Sequence, residues 1–141
     1  MKREIKFRGK VVHNDPMTNP DDGWVYGFYY QDLDKGEIKH YIKSCPMDWE
    51  VIHETVGQFT GLWDRHGNEI YEGDIVEWYY TPETKSTPFI VEFQHGAFGY
   101  VYCGEFHSFE GNGNFDFRLF DTDKRFTLIG NIHDNPELLN K

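Results

Sequence analysis

Side chains able to bind a metal are numerous in this sequence, but their spacing matches no established set of ligands. The chain has seven histidines and two cysteines. A structural zinc site usually shows two close ligand pairs. Here Cys103 and His107 form a single pair, and His95 lies upstream of them by itself. The spacing therefore predicts no bound metal and no cofactor, and the alternative is a zinc ion held through Cys103 and His107.

Three other patterns with chemical potential also fall short of a site. Residues 32–37 partly resemble a calcium loop, but the glycine stands one position early and Lys43 occupies the place of the bidentate acid. Cys45 lies near His40 and His53 in the chain, yet there is no Gly-x-Ser-x-Gly elbow. Acidic residues number 24, so some pair suited to a carboxylate-based hydrolase always exists. An enzyme is therefore the minority interpretation.

Basic residues recur with the same parity near the start of the chain. They are Lys2, Lys6, Arg8 and Lys10, interrupted only by Glu4. On a strand they would share one face, where they could contact the phosphates of a single-stranded nucleic acid beside exposed rings such as Tyr29 or Tyr30. The structural alternative is an edge strand that its charges protect from aggregation. The sequence favours the edge strand.

The composition indicates a soluble protein with an aromatic core. Aromatic residues make up 18% of the chain, and large rings suit the half-buried surface of a sheet. The formal charge of -10 disfavours broad binding to nucleic acid or to anionic membranes. No segment resembles a transmembrane helix or a signal peptide. We expect a cytoplasmic protein without membrane contact, in which Cys45 and Cys103 form no disulfide.

Alternation of apolar and polar residues with period two predicts an all-β fold with very little helix. Strands are predicted around 5–7, 24–30, 38–42, 59–62, 69–71, 75–80, 89–93, 115–119 and 126–132. Turns are predicted at 19–23, 31–36, 64–68 and 112–113, with an exposed loop at 81–88. Single helical turns are predicted at 46–50 and 135–139, the latter capped by Asn135. A soft boundary near 55–57 separates an N-terminal β segment, residues 1–56, from residues 57–141.

A turn is also predicted where Gly73 and Asp74 precede the apolar pair Ile75-Val76. Gly73 can adopt a positive φ at the end of the turn, and the carboxylate of Asp74 can accept hydrogen bonds from turn amides. Read functionally, Glu72 and Asp74 would be an acid pair. The structural role is favoured, because aspartate is common in turns that bind no ligand.

Three blocks of the sequence resemble the YopX family of bacteriophage and prophage proteins. The longest covers residues 57–76, with Thr60-Gly61-Leu62 near its start and Glu72-Gly73-Asp74-Ile75-Val76 at its end. The others are Ile5-Lys6-Phe7-Arg8 and the segment 130–139, which ends in Asn135-Pro136-Glu137-Leu138-Leu139. The resemblance implies an SH3-like β-barrel over residues 57–141. It brings no set of catalytic residues.

Aromatic residues on strands with two apolar faces suggest how the chain acts. Residues 24–30 include five rings, and Trp78-Tyr79-Tyr80 follows an apolar pair without a polar break. One sheet layer covers one face only, so the other face needs a second layer, a ligand or another subunit. We predict a binding or assembly module that forms a homo-oligomer and contacts other proteins. The predicted interface comprises Trp24, Tyr26, Phe28, Tyr30, Trp78 and Tyr80. Two parts of one chain that cover each other are the alternative.

Overall fold

The computed structural model shows an all-β protein, which confirms the fold class predicted from the alternation. The structure describes residues 4–12, 20–81, 83–102, 104–109 and 126–139. Within these residues there are twelve strands, and the only helical elements are two short 3-10 turns. No helix in this part of the chain has the length and hydrophobicity needed to cross a bilayer. The predictions for Lys2, Cys103, 112–113 and 115–119 lie outside the described residues.

The chain divides into two compact units, residues 1–59 and 60–141. The first unit holds β1 (Phe7–Lys10), β2 (Trp24–Asp34), β3 (Glu37–Ser44), β4 (Met47–Glu50), a 3-10 turn (His53–Thr55) and the start of β5 (Gly57–Trp63). The second unit holds β6 (Glu69–Tyr71), β7 (Asp74–Thr81), β8 (Thr84–Lys85), β9 (Phe89–Gln94), β10 (Ala97–Tyr102), β11 (Glu105–Ser108), β12 (Phe126–Asn131) and a 3-10 turn (Pro136–Leu139). The predicted boundary after residue 56 lies at the start of β5, three residues before this division.

The first unit is built on an antiparallel sheet with the strand order β4-β3-β2-β1-β5. Strand β1 has a partner on each side, since it pairs with β2 from Phe7 to Lys10 and with β5 at Phe7 and Arg8. Successive side chains of a strand point to opposite faces, so only alternate residues enter the core. The core consists of Val25, Ile42 and Val51, against which Phe7, Val11, Tyr29, Trp49 and Val56 pack.

The hairpin of β2 and β3 is longer than the sequence predicted, because its turn has only two residues. Lys35 and Gly36 adopt φ of 51° and 85°. Positive φ at both central residues is the mark of the type I′ turn, whose twist matches that of paired strands. Pairing therefore begins directly at Asp34 and Glu37 and includes Leu33 opposite Ile38. The predicted loop over 31–36 is wrong except at its last residues.

Gly27 lies where β2 changes partners, from β1 to β3. A Cβ atom built on Gly27 would lie 2.0 Å from the carbonyl oxygen of Lys43. No side chain fits at that distance, so the close approach of two backbones requires glycine here.

The second unit has a sheet with the order β11-β10-β9-β7-β12, and β8 pairs with β7. The strand predicted at 126–132 and the hairpin loop predicted at 64–68 are present. Its core is mainly aromatic and is formed by Ile70, Val76, Trp78, Phe89, Val91, Phe98, Tyr100, Phe109 and Phe126. The SH3-like barrel that the resemblance implies for this region stays a prediction.

Three local predictions have different outcomes. The helical turn predicted at 46–50 is wrong, because these residues form β4 and pair with β3, which satisfies more backbone groups than one isolated turn can. The loop predicted at 81–88 contains the short strand β8. The helical turn predicted at 135–139 is confirmed as a 3-10 turn, in which the carbonyl of Asn135 accepts a bond from the Leu138 amide at 3.1 Å.

Candidate functional site

The Gly73–Asp74 turn joins β6 to β7 and has the geometry that its sequence predicts. Gly73 adopts a φ of 87°. The Asp74 carboxylate is buried and accepts a hydrogen bond from the Tyr71 amide at 2.7 Å. The amide of Gly73 donates to Val91 at 2.8 Å, and its carbonyl accepts from Ile132 at 2.9 Å. Because the turn ties several strands together and Asp74 is buried, these contacts favour a structural role.

Asp64 is a second buried acid, which the sequence indicated only as part of a hairpin loop. Its carboxylate accepts hydrogen bonds from the amides of His66 at 2.9 Å, Asn68 at 2.8 Å and Leu128 at 3.0 Å. Burial alone would raise the pKa of Asp64, but the hydrogen bonds from Leu128, Asn68 and His66 together lower it below the ordinary value. A carboxylate held ionised by amides that close a turn is a structural anchor.

The basic residues of β1, and Lys6 directly before it, lie over aromatic rings. The guanidinium carbon of Arg8 lies 4.6 Å from the centre of the Trp24 ring, and Lys10 Nζ lies 5.6 Å from the same ring. Lys6 Nζ is 5.6 Å from the Phe59 ring and 3.5 Å from the carboxylate of Glu4. The favoured interpretation of β1 as a charged edge strand is wrong, because β1 has a partner on both sides. Arg8 is also buried, which leaves its guanidinium little access to a phosphate.

The predicted aromatic interface is only partly at the surface. Trp24 and Trp78 are 5% and 4% exposed and belong to the buried interior, so their inclusion in the interface is corrected. The alternation of β2 instead presents Tyr26, Phe28 and Tyr30, which are 41%, 65% and 37% exposed. The side chain of Tyr80 lies outside the described residues.

The far end of the β2–β3 hairpin carries a second apolar group, which sequence reasoning assigned to a polar loop. Leu33 and Ile38 are direct cross-strand partners and are 68% and 61% exposed. By strand parity they lie on the face opposite to Phe28 and Tyr30. We call the exposed apolar residues Phe28, Tyr30, Leu33 and Ile38 the hairpin surface. This surface presents apolar side chains on both faces of one hairpin.

Tyr29, His40 and His53 form a polar cluster on the first unit, close to its core. The phenol oxygen of Tyr29 lies 2.7 Å from His40 Nδ1, and His53 Nδ1 lies 3.1 Å from the same nitrogen. Gln31 Nε2 donates to the phenol oxygen at 2.9 Å. No spacing pattern predicted this cluster, because its members come from β2, β3 and the first 3-10 turn.

The remaining candidate residues that the structure describes do not assemble into a site. Asp34 forms an ion pair with Lys39 at 3.1 Å, and Asp32 accepts a hydrogen bond from the Leu33 amide. These two acids of the calcium-like segment therefore make contacts within the β2–β3 hairpin. Cys45 is exposed, and His107 stacks on Tyr100 with ring centres 5.3 Å apart. Among the described residues, no group of three or more His, Cys, Asp or Glu side chains is placed to hold a metal ion.

Comparison with known proteins places this chain in a family. The family model described as YopX protein matches residues 6–140. This chain belongs to the YopX family. Among solved structures, the chain is similar to the crystal structure of protein EF1440 from Enterococcus faecalis, with 21% identity and a TM-score of 0.49 over 98% of this chain and 99% of that one. No curated protein matches the chain.

Proposed function

We propose that this YopX-family chain is a binding module that acts through protein–protein contacts and not through catalysis. Its hairpin surface would join two copies of the chain. The observation that carries the proposal is the exposure of Phe28, Leu33 and Ile38, each more than half accessible, on one hairpin. Large apolar side chains grouped at the surface of a soluble protein are typical of contact sites. Phage origin and a cytoplasmic location belong to the same proposal, supported by family membership and by a mean hydropathy of -0.70 respectively.

A second copy of the chain fits this surface better than a strongly charged partner. Residues 31–44 contain three lysines and three acids, so two such hairpins carry no net charge and do not repel each other. Exposed apolar groups on both faces allow one hairpin to lie against its own equivalent about a two-fold axis. Closed two-fold dimers are the commonest assemblies of soluble proteins.

The alternative, nucleic-acid binding through the first strand, has weaker support. Arg8 is buried against Trp24, and Lys6 already pairs with Glu4. A phosphate contact would have to compete with these interactions. Binding of a single-stranded oligonucleotide that weakens steeply with salt, and that is lost in Lys6→Ala/Lys10→Ala, would favour this alternative over the proposal.

Light scattering coupled to size exclusion tests the proposed assembly. At micromolar concentration we expect the mass of at least two 16.7 kDa chains. Replacing both tip residues, Leu33→Ser/Ile38→Ser, should shift the mass to one chain, because the apolar contact is removed from both copies. The matched control is Trp63→Ser/Phe93→Ser, which removes two exposed apolar residues of the second unit and should leave the mass unchanged.

Two results would contradict the proposal. One is a wild-type mass of a single chain across the concentration range. The other is an oligomer that survives the tip substitutions and dissociates in the control, which would move the contact to the second unit.

A further inference from the structure

The geometry points to a divalent transition-metal site formed by His40 Nδ1, His53 Nδ1 and the phenol oxygen of Tyr29. Both other atoms lie within 3.1 Å of His40 Nδ1. Imidazole nitrogen and phenol oxygen are both established ligands of first-row transition metals. The site is independent of the proposed self-association, since it uses none of the residues of the hairpin surface.

The hydrogen-bonding capacity of His40 Nδ1 is the reason that a metal ion suits this cluster. Gln31 donates a hydrogen bond to the phenol oxygen of Tyr29, and that oxygen lies 2.7 Å from His40 Nδ1. His53 Nδ1 lies 3.1 Å from the same nitrogen. In either tautomer His40 Nδ1 carries one proton or one lone pair, so its two neighbours must share a single hydrogen-bonding position. A metal ion accepts both nitrogen lone pairs at once, and the phenol proton leaves to solvent when Tyr29 becomes a ligand.

The distances agree with binding to one ion. With metal–nitrogen bonds of 2.0–2.1 Å, two nitrogens 3.1 Å apart subtend an angle of about 100° at the metal, between square-planar and tetrahedral values. The rings of His40 and His53 have centres 4.1 Å apart and planes inclined at 44°, so they lean over one another instead of meeting edge to edge. The ring centres are farther apart than the two nitrogens, so the rings diverge from the side on which the nitrogens meet.

The surroundings hold the ligands in place and leave the ion open to solvent. His40 and Tyr29 are half-buried on neighbouring strands, and the carbonyl of His40 accepts a bond from the Val51 amide at 2.8 Å. The turn that carries His53 is fastened to β1, because Thr55 Oγ1 accepts a hydrogen bond from the Lys10 amide at 2.9 Å. His53 itself is exposed, so water can complete the coordination.

An open site with two imidazoles selects among metals by ligand type. The Irving–Williams order places Cu²⁺ above Zn²⁺ for such donors, and two imidazole nitrogens disfavour Ca²⁺ and Mg²⁺, which prefer oxygen ligands. Because the ligands come from β2, β3 and a 3-10 turn, binding also cross-links three elements of the first unit. A bound ion should therefore raise the melting temperature of the protein.

Titration with ZnCl₂ alone, monitored by calorimetry, tests the site on the full chain stripped with a chelator. We expect one Zn²⁺ per chain and a rise in melting temperature that the chelator reverses. His53→Asn should lower the affinity at least about 100-fold, and Tyr29→Phe by about tenfold, since even residues that only orient a ligand contribute 10–100-fold. The matched control is His66→Asn, an exposed histidine of the second unit, which should bind Zn²⁺ as the wild type does.

Imidazole ¹⁵N spectra distinguish ligation from mere structural support. On addition of Zn²⁺, the Nδ1 resonances of His40 and His53 should shift together, while that of His66 stays in place. Equal affinity in wild type and His53→Asn would overturn the proposal. So would the lack of saturable binding, or a Zn²⁺ titration that leaves both Nδ1 resonances unchanged, which would show a hydrogen-bonded histidine pair only. Because His53 is exposed, its variant should fold, and its melting temperature in chelator verifies this.

Discussion

In the part of the chain that the structure describes, the second unit exposes two of its large apolar side chains, whereas the first unit exposes nine. Of the eleven exposed large hydrophobic residues in the described part of the chain, only Trp63 and Phe93 belong to the second unit. The second unit surrounds an aromatic core that includes Phe126, while the core of the first unit centres on three aliphatic residues. This difference is the reason for placing the proposed contact on the first unit.

Charge follows the same division. Residues 1–59 contain 8 basic and 10 acidic residues, for a net charge of -2, and residues 60–141 contain 6 and 14, for a net charge of -8. The second unit therefore carries most of the negative charge of the chain. A nearly neutral first unit is compatible with the proposed contact between two identical hairpins. The overall charge of -10 conceals this asymmetry.

The largest expected effect is the loss of stability when a core ring of the second unit is removed, compared with a surface ring of the first unit. Phe126→Ala should lower the free energy of unfolding by about 3–5 kcal/mol, because this ring is fully buried against Trp78 and Phe109. Phe28→Ala in the first unit should change it by less than about 0.5 kcal/mol, since the ring is exposed. Urea unfolding of both variants at one low protein concentration measures the difference. Equal losses of stability in the two variants would contradict the difference in burial between these two rings.

Loss of the buried acid comes next in size. Asp64→Ala should destabilise the protein by about 2–4 kcal/mol, because three backbone amides lose a charged acceptor. Asp48→Ala, which removes an exposed acid of the first unit, is the control and should cost less than about 1 kcal/mol. Thermal and urea unfolding at neutral pH give both values. A smaller loss for Asp64 than for Asp48 would mean that the turn closes without its carboxylate.

The dependence of stability on pH tests the role of the same Asp64 carboxylate. The pKa of Asp64 is lower in the folded protein than its ordinary value of 3.8. Its contribution to stability is therefore complete above pH 3.8 and is lost as the pH falls through the lowered folded value. The wild type should lose more stability than Asp64→Asn over this acidic range. If the stability of the two proteins changed with pH in the same way, the lowered pKa of folded Asp64 would be contradicted.

Gly73→Val should lower the free energy of unfolding by about 1–3 kcal/mol, because a β-branched residue is strained at a φ of 87°. There is room for a Cβ atom, since the nearest side-chain atom, on His133, lies 3.6 Å away. The loss is then a backbone effect, and Gly73→Asn should recover part of it because asparagine tolerates this conformation. Urea unfolding curves measure both losses of stability. Equal losses for Gly73→Val and Gly73→Asn would indicate that any side chain is too large for this position.

The smallest effect concerns the hairpin. Tyr30 donates a hydrogen bond to Asp48 at 2.6 Å, and this bond raises the pKa of Tyr30 to about 12. The stability that it contributes is present below the ordinary tyrosine value of 10.0 and disappears as the pH rises through 12. Asp48→Asn should return the phenol towards its ordinary titration. Absorbance titration against Tyr30→Phe identifies the signal, and identical curves for wild type and Asp48→Asn would show that the bond is absent in solution.

Much of the fold could be predicted from the sequence because alternation and turn chemistry are local properties. The turn at Gly73, the hairpin loop at 64–68 and the strand predicted at 126–132 each have a sequence pattern confined to neighbouring residues, although long-range hydrogen bonds also hold them. The hairpin turn was misplaced because the sequence does not show that Lys35 joins Gly36 at positive φ. Residues 46–50 were assigned to a helix because the pairing that makes them a strand is with β3, which local propensity does not include.

The candidate site was less predictable for a related reason. Parity shows that Trp24 shares a face with Tyr26 and Phe28, but it does not show that Trp24 is covered while the other two are exposed. Tyr29, His40 and His53 meet only after β2, β3 and a 3-10 turn have packed. Three residues on separate elements leave no spacing pattern, which is why neither motif nor composition indicated their contact.

The position of β1 has a consequence for the chain during its synthesis. Arg8 pairs with Gly57, so β1 waits for a partner strand that is made roughly 50 residues later. At translation rates of about 5–20 residues per second, that interval lasts on the order of 3–10 seconds. Until then β1 can pair with β2 alone, and its other edge is open to any strand that the ribosome delivers earlier. The nascent first unit is thus at risk of wrong pairing until β5 emerges, however stable the finished protein becomes.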